Sequence, residues 1–346
     1  MTTAEPTAAK SGFAACDHCN TLGRGSGRQD TDAATFFERR RRSGVVRWRH
    51  AGIVSTMHLL LPLLASLLFV SGLIFMKRAG AAGVSTATTL FVSNQCTAIC
   101  FSALWMFGGD GQPWFMLWQP AIIAFLYILG LLLTFLAINC GDVSIATPLF
   151  GVKVLLVAML LTIVGDTPLP ATVWYAAALA TFGIAMIQWT GRSNPRRVVT
   201  TILLALSASA SYATFDVLVQ RWSPSWGAGR FLPISFWFVG IFSLSLIPWV
   251  QWRSLRKPEI GGNLWPGSVL LALQAICIVF TLSVFGDAAR VNVVYALRGL
   301  WGVTLAWWVA KRWGGNEETL SRSILFTRLG GAILLTLAVV LVITAR

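Results

Sequence analysis

Residues 143–164 read VSIATPLFGVKVLLVAMLLTIV, a run of 22 residues whose one charge is Lys153. At about 1.5 Å per residue an α-helix of that length matches the roughly 30 Å hydrocarbon core of a bilayer. A membrane-barrel strand would need only about 10 residues, with alternating polarity. The run therefore reads as a transmembrane helix with a lysine near its middle. Runs of the same kind lie at 57–76, 84–107, 120–138, 171–189, 199–219, 231–250, 266–285, 291–310 and 324–344, so the simplest reading is an all-α integral membrane protein of about ten transmembrane helices.

Composition agrees. Apolar residues make up 56% of the 346 and charged residues only 12%, against roughly 25% charged in soluble chains, and the mean hydropathy is +0.70. Ten spans leave no room for a separate catalytic domain. The net charge of +14 would point to nucleic acid on a soluble surface. Here the basic residues fall between apolar runs, where they set orientation and meet anionic lipid, so no nucleic-acid partner is expected. Cys96, Cys100, Cys140 and Cys277 lie in or beside apolar runs and read as small apolar side chains rather than disulfides. Trp118, Trp189, Trp249, Trp265 and Trp313 stand near run ends, as interfacial rings do.

Residues 1–56 are polar, charged and rich in small side chains, the composition of a disordered tail. Their Cys16-Asp17-His18-Cys19 cluster lacks the second ligand pair that a structural zinc site needs; no metal or other cofactor is expected. Apolar sequence begins abruptly at Met57, which stands as an alternative start.

Small residues mark close helix packing: Ala176, Ala180 and Gly183, the alternating Ser and Ala of 207–213, and Gly330 with Gly331. The chain also repeats itself weakly. Sliding it by 145 residues lays Gly141-Asp142 on Gly286-Asp287, Phe150 on Tyr295, and Lys153 on Arg298. A shift of 144 lays Lys77 on Arg221, and one of 147 lays Gly183 on Gly330. Two units of five spans, 57–190 and 198–344, follow. Because five is odd, the second is inverted relative to the first, and such repeats hold a substrate site near the midplane.

Two five-span units, with the run Gly141-Asp142-Val143-Ser144-Ile145-Ala146-Thr147-Pro148-Leu149-Phe150 and the later Gly165-Asp166, resemble an EamA-type transporter of the drug/metabolite transporter superfamily. The family's Gly-Glu is Gly-Asp here. The second unit departs further, with Val293 where the first has Pro148 and Lys311-Arg312 where it has Asp166. The resemblance implies a permease-like, ten-helix carrier with a central cavity open alternately to each side, in a bacterial plasma membrane. It also implies cytoplasmic termini. Loop charge argues the other way, because loops after odd-numbered spans carry twelve Lys or Arg and those after even-numbered spans carry three. The six arginines between Arg39 and Arg49 nearly cancel that bias if the tail is translated, so orientation stays open.

Lys153 and Arg298 are expected inside spans, each at about 2.5–3.5 kcal/mol on insertion-derived scales. Two readings stand side by side. In one, both cations face a midplane cavity and bind an anionic solute, Arg298 as a planar fork and Lys153 as a point charge. In the other they are structural, with Asp216, the one carboxylate well inside a run, pairing with Lys153; Asp216 could instead carry a coupling proton. Phe150 and Tyr295, three residues before the cations, would stack on a solute or fill the core. The expected function is transport of a small, anionic metabolite. A drug or neutral-metabolite exporter and a non-transporting membrane scaffold are the competitors, and a homodimer is left open. An aspartyl protease is set aside, since Gly141-Asp142 and Gly286-Asp287 fall at loop junctions rather than as a buried dyad. The expectation is that the chain is not an enzyme.

Overall fold

A computed structural model of the chain describes residues 54–139, 146, 149–164, 169–188, 198–302, 304 and 322–344, with side chains omitted at 54–57 and 322–325. Almost all of the polar N-terminal segment lies outside these, as do Cys140, Gly141-Asp142, Gly165-Asp166, Trp189, Lys311-Arg312 and Trp313. The described residues are helical, with no strand among them. In chain order the helices are α1 (Val54–Ala81), α2 (Thr86–Ser102), α3 (Trp118–Asn139), α4 (Lys153–Val164), α5 (Ala171–Gln188) and α6 (Val198–Trp226). Next come α7 (Ala228–Ser243), the short α8 (Trp252–Leu255), α9 (Pro258–Phe285), α10 (Ala288–Tyr295) and α11 (Arg322–Thr344).

Seven helical stretches are long and apolar enough to cross a bilayer, and Phe150–Val164 and Ala171–Ile187 are shorter apolar helices. Outward-facing Leu60, Leu64, Phe125, Ile163, Phe182 and Ile333 are all exposed, a surface that lipid and not water would cover. These are the features of a membrane protein. Trp118, Trp249 and Trp265 are exposed at or near helix ends, where an amphipathic ring meets a headgroup layer.

The helices outrun their apolar stretches where long basic side chains or turn chemistry allow it. α1 continues past the expected end to include Lys77 and Arg78, whose aliphatic stems can lie along the helix while the charge reaches water. α9 starts eight residues before the expected run, because Pro258 in the first turn needs no backbone donor. Its end is a glycine stop: Gly286 takes a left-handed conformation (φ 65°), and its N–H donates to the Leu282 carbonyl. Asp287 then caps α10, accepting from the Arg290 N–H at 3.4 Å. The second Gly-Asp pair is thus a helix stop followed by a helix start.

Helix pairing is regular. α2 packs on α7 and α5 on α11, while α3 contacts α6 and α7, and α9 contacts α2. At the α5–α11 crossing the fit is reciprocal: a Cβ on Gly183 would meet the Gly331 carbonyl oxygen at 2.8 Å, and one on Gly331 would meet the Gly183 oxygen at 2.6 Å. Of the two glycines marked in the last span, Gly331 is the one that touches Gly183. α1 and α9 cross similarly, with a Gly72 Cβ lying 3.3 Å from the Gly267 oxygen and the converse also 3.3 Å. Small residues at these crossings let backbones touch where hydrophobic burial gives no drive between helices in lipid. α4 and α10 lie against one another, and α4 also contacts α6.

Candidate functional site

Lys153 and Arg298 do not sit in unbroken helix as expected. Residues 150–152 form a 3₁₀ turn, and the α-helix begins at Lys153. In the other segment α10 ends at Tyr295, residues 296 and 297 form a turn, and helix resumes at Arg298. There the hydrogen bonds shorten to three-residue spacing, Leu297 N–H to the Val294 carbonyl and Gly299 N–H to the Ala296 carbonyl. Each cation therefore opens a helical piece directly after a tightened turn. Local composition contributes to the first. Gly151 lets the first turn lie against α5, since a Cβ there would meet Ile184 at 2.8 Å. Upstream of the second, the Asn292 side chain donates to the Ala288 carbonyl at 2.9 Å, while the Asn292 carbonyl keeps its ordinary bond from the Ala296 N–H at 3.0 Å.

Around these turns the polar groups converge. Lys153 Nζ lies 2.8 Å from Asp216 Oδ2, with the side chains 13% and 2% exposed. Asn292 Nδ2 donates to the same carboxylate oxygen at 2.7 Å. The lysine also stands 5.7 Å from the centre of the Tyr212 ring, which fits against α3 because Gly130 has no Cβ to block it; one there would lie 2.9 Å from the ring.

Arg298 is held differently. Its guanidinium carbon lies 4.4 Å from the Tyr295 ring centre and 5.2 Å from that of Phe69, both within cation–π range. Among the described residues it has no carboxylate partner. The Tyr295 hydroxyl donates to Gln274 Oε1 at 2.6 Å, and Trp301 Nε1 donates to Ser66 Oγ at 3.0 Å, tying this segment to α1. The charges of Lys153 and Arg298 are close enough to act on each other, and Tyr295 feels Asp216 in turn.

Of the residues singled out in the sequence, Lys153, Asp216, Arg298 and Tyr295 are thus brought together. Phe150 is not: it packs on Ala137, Ala146 and Ala205 in a small apolar cluster. It fills space between helices, while its counterpart Tyr295 lies under a cation. The reading missed Asn292, Gln274, Phe69, Tyr127 and Tyr212. A signal existed in the tyrosines, of which the chain has four; Tyr127, Tyr212 and Tyr295 all lie in this cluster, Tyr127 being 6.4 Å from Tyr212 edge to face. An apolar groove between α5 and α11, lined by Tyr175, Phe182, Leu334 and Leu341 among others, carries no charge and takes no part.

Fold and cluster together define a class: a helical protein with bilayer-length apolar helices and a charged, aromatic-lined centre. Among solved structures the chain is similar to a crystal structure described only as that of a protein, at a TM-score of 0.63 and 14% identity, over 83% of this chain and 96% of that one. At that identity the likeness concerns the fold alone. No protein-family model and no curated protein matches the chain.

Proposed function

We propose that the protein is a multi-pass secondary transporter, ten transmembrane helices in two inverted five-helix units of the EamA type, moving a small anionic metabolite by alternating access around the Lys153–Arg298 cluster. The observation that carries this reading is the charge count at the centre. Among the described residues two cations share one carboxylate, and Asp216 is already taken by Lys153. Arg298 is left with the Phe69 ring and with the ring and hydroxyl of Tyr295, and a partly buried charge without a counter-charge is costly unless something transient supplies one.

The pairing of helices supports the inverted repeat. Contacts between α2 and α7 and between α5 and α11 each join equivalent spans of the two units, and α3 on α7 mirrors α9 on α2. Side chains follow suit. Ser66 and Phe69 of α1 touch the Arg298 segment. Ser209 and Tyr212, each 143 residues later, touch the Lys153 segment. Helices interrupted at corresponding places in two units are where transporters of this architecture hold their solutes.

The Lys153–Asp216 pair by itself would serve a non-transporting scaffold equally well; the unpaired Arg298 would not. The test is uptake of radiolabelled anions, cations and neutral solutes by proteoliposomes holding the wild-type chain or Arg298→Leu. Saturable anion uptake is expected, lost at least tenfold in the variant while the folded yield holds. Uptake confined to cations, or transport indifferent to the substitution, ends the proposal and favours the drug or neutral-metabolite exporter.

A further inference from the structure

We infer that the solute received at Arg298 is a monocarboxylate bearing an aromatic or similarly flat apolar group. This rests on the anion-carrier reading above and narrows it. The first argument is charge. Lys153 and Arg298 against Asp216 leave one positive charge to be met, and a monocarboxylate meets it. A phosphate monoester, close to dianionic at neutral pH, would leave the buried cluster net negative, and uncompensated charge in such surroundings is penalised.

The second argument is the shape of the cation. A guanidinium is a planar fork that matches the two oxygens of a carboxylate in a bidentate pair. Arg298 rests over the faces of Tyr295 and Phe69, and no described carboxylate occupies its donors.

The third is the surrounding wall. Phe69 meets Tyr295 edge-on at 6.1 Å, and Tyr127 stands 5.3 Å from Phe236 and 5.8 Å from Phe215. Rings from α1, α3, α6, α7 and α10 thus line one neighbourhood. The Tyr295 hydroxyl is occupied by Gln274, while Phe69 and Tyr127 are only partly buried against the packed core that holds Phe215 and Phe236, so the surface left beside Arg298 suits a flat apolar group better than a hydroxyl-rich sugar.

The experiment is isothermal titration of the purified full chain in nanodiscs with phenylpyruvate, lactate, inorganic phosphate, glucose 6-phosphate and phenethylammonium, all at one pH and salt. Phenylpyruvate is expected to bind at least tenfold more tightly than lactate or either phosphate. Arg298→Lys, which keeps the charge and loses the fork, is expected to weaken it about tenfold. Phe69→Leu should weaken phenylpyruvate several-fold more than it weakens lactate. The wild-type ranking stands even if a variant fails to fold. If phosphate or glucose 6-phosphate binds best, or if lactate equals phenylpyruvate, this inference fails while the anion carrier survives. If only phenethylammonium binds, or no anion does, both readings fail together.

Discussion

The segment around Lys153 and the segment around Arg298 are built alike and charged unlike. Each cation opens a helical piece after a tightened turn, and each rests near an aromatic ring carried by a neighbouring long helix, Tyr212 of α6 or Phe69 of α1. A serine three residues before each ring reaches the same segment. The difference is one side chain. Four residues after Tyr212 stands Asp216, which is buried against Lys153; four after Phe69 stands Leu73, which is exposed. A shared frame in which, among the described residues, only one cation has a carboxylate separates a cation paired within the protein from one that the proposed function leaves for a solute.

The largest test of that contrast is stability. Asp216→Leu strands Lys153 in a buried setting and is expected to cost about 3–5 kcal/mol, the usual penalty for removing one partner of a buried pair. The double variant Lys153→Met with Asp216→Leu should recover most of the loss. Arg298→Leu should leave the unfolding midpoint unchanged or raise it, and on the proposed function abolish anion binding, because it removes a charge that has no carboxylate partner among the described residues. Thermal unfolding in detergent micelles reads all of these. Equal losses at Asp216 and Arg298 would erase the distinction between the two segments.

The next effect belongs to the α5–α11 crossing. Gly331→Ala must push a methyl onto the Gly183 carbonyl and the Ile187 N–H, 2.6 and 2.9 Å from the ideal Cβ, which is expected to cost about 1–3 kcal/mol. Gly330→Ala meets only the flexible end of Met186 at 3.0 Å. Both gain the same helix propensity, so their midpoints should differ by the clash alone. If both are tolerated, the two helices slide freely, and the close crossing is not a fixed contact. Gly286→Ala should cost about 1–2 kcal/mol through its left-handed backbone. The same substitution at Gly141, measured beside it, tells whether both Gly-Asp pairs stop a helix.

Much of this was legible in the sequence, and the parts that were not have physical causes. Helix type and rough span positions follow from apolar run length, which the bilayer fixes. The Lys153–Arg298 correspondence was visible because a cation in a run of 22 residues is conspicuous. The turns before the cations were not visible: no residue at 296 or 297 breaks a helix by itself. Phe150 was placed with Lys153 on helical spacing, yet spacing says only which face a residue shares, not which neighbours meet it, and Phe150 meets Ala137 of α3 and Ala205 of α6. Asn292 and Gln274 carry no charge, so nothing in their local sequence marked them until the fold set them beside Asp216 and Tyr295.

The smallest prediction is the most pointed about symmetry. Ser66 accepts from Trp301 at 3.0 Å, and Ser209 donates to the Leu149 carbonyl at 3.3 Å. Both are buried, and each links a long helix to a cation-bearing segment. Hydrogen bonds between helices in lipid are worth about 0.6 kcal/mol on average, because the separated helices also find partners. Ser66→Ala and Ser209→Ala should therefore each lower stability by about that amount, and by nearly equal amounts. Neither should alter anion affinity by more than about twofold, since about 0.4 kcal/mol corresponds to that ratio. Matched small losses at the serines beside a large loss at Asp216 and none at Arg298 would confine the asymmetry to charge. A large loss at one serine alone would mean that the frame itself is uneven, and the missing carboxylate would then be one irregularity among several rather than the feature that leaves Arg298 open.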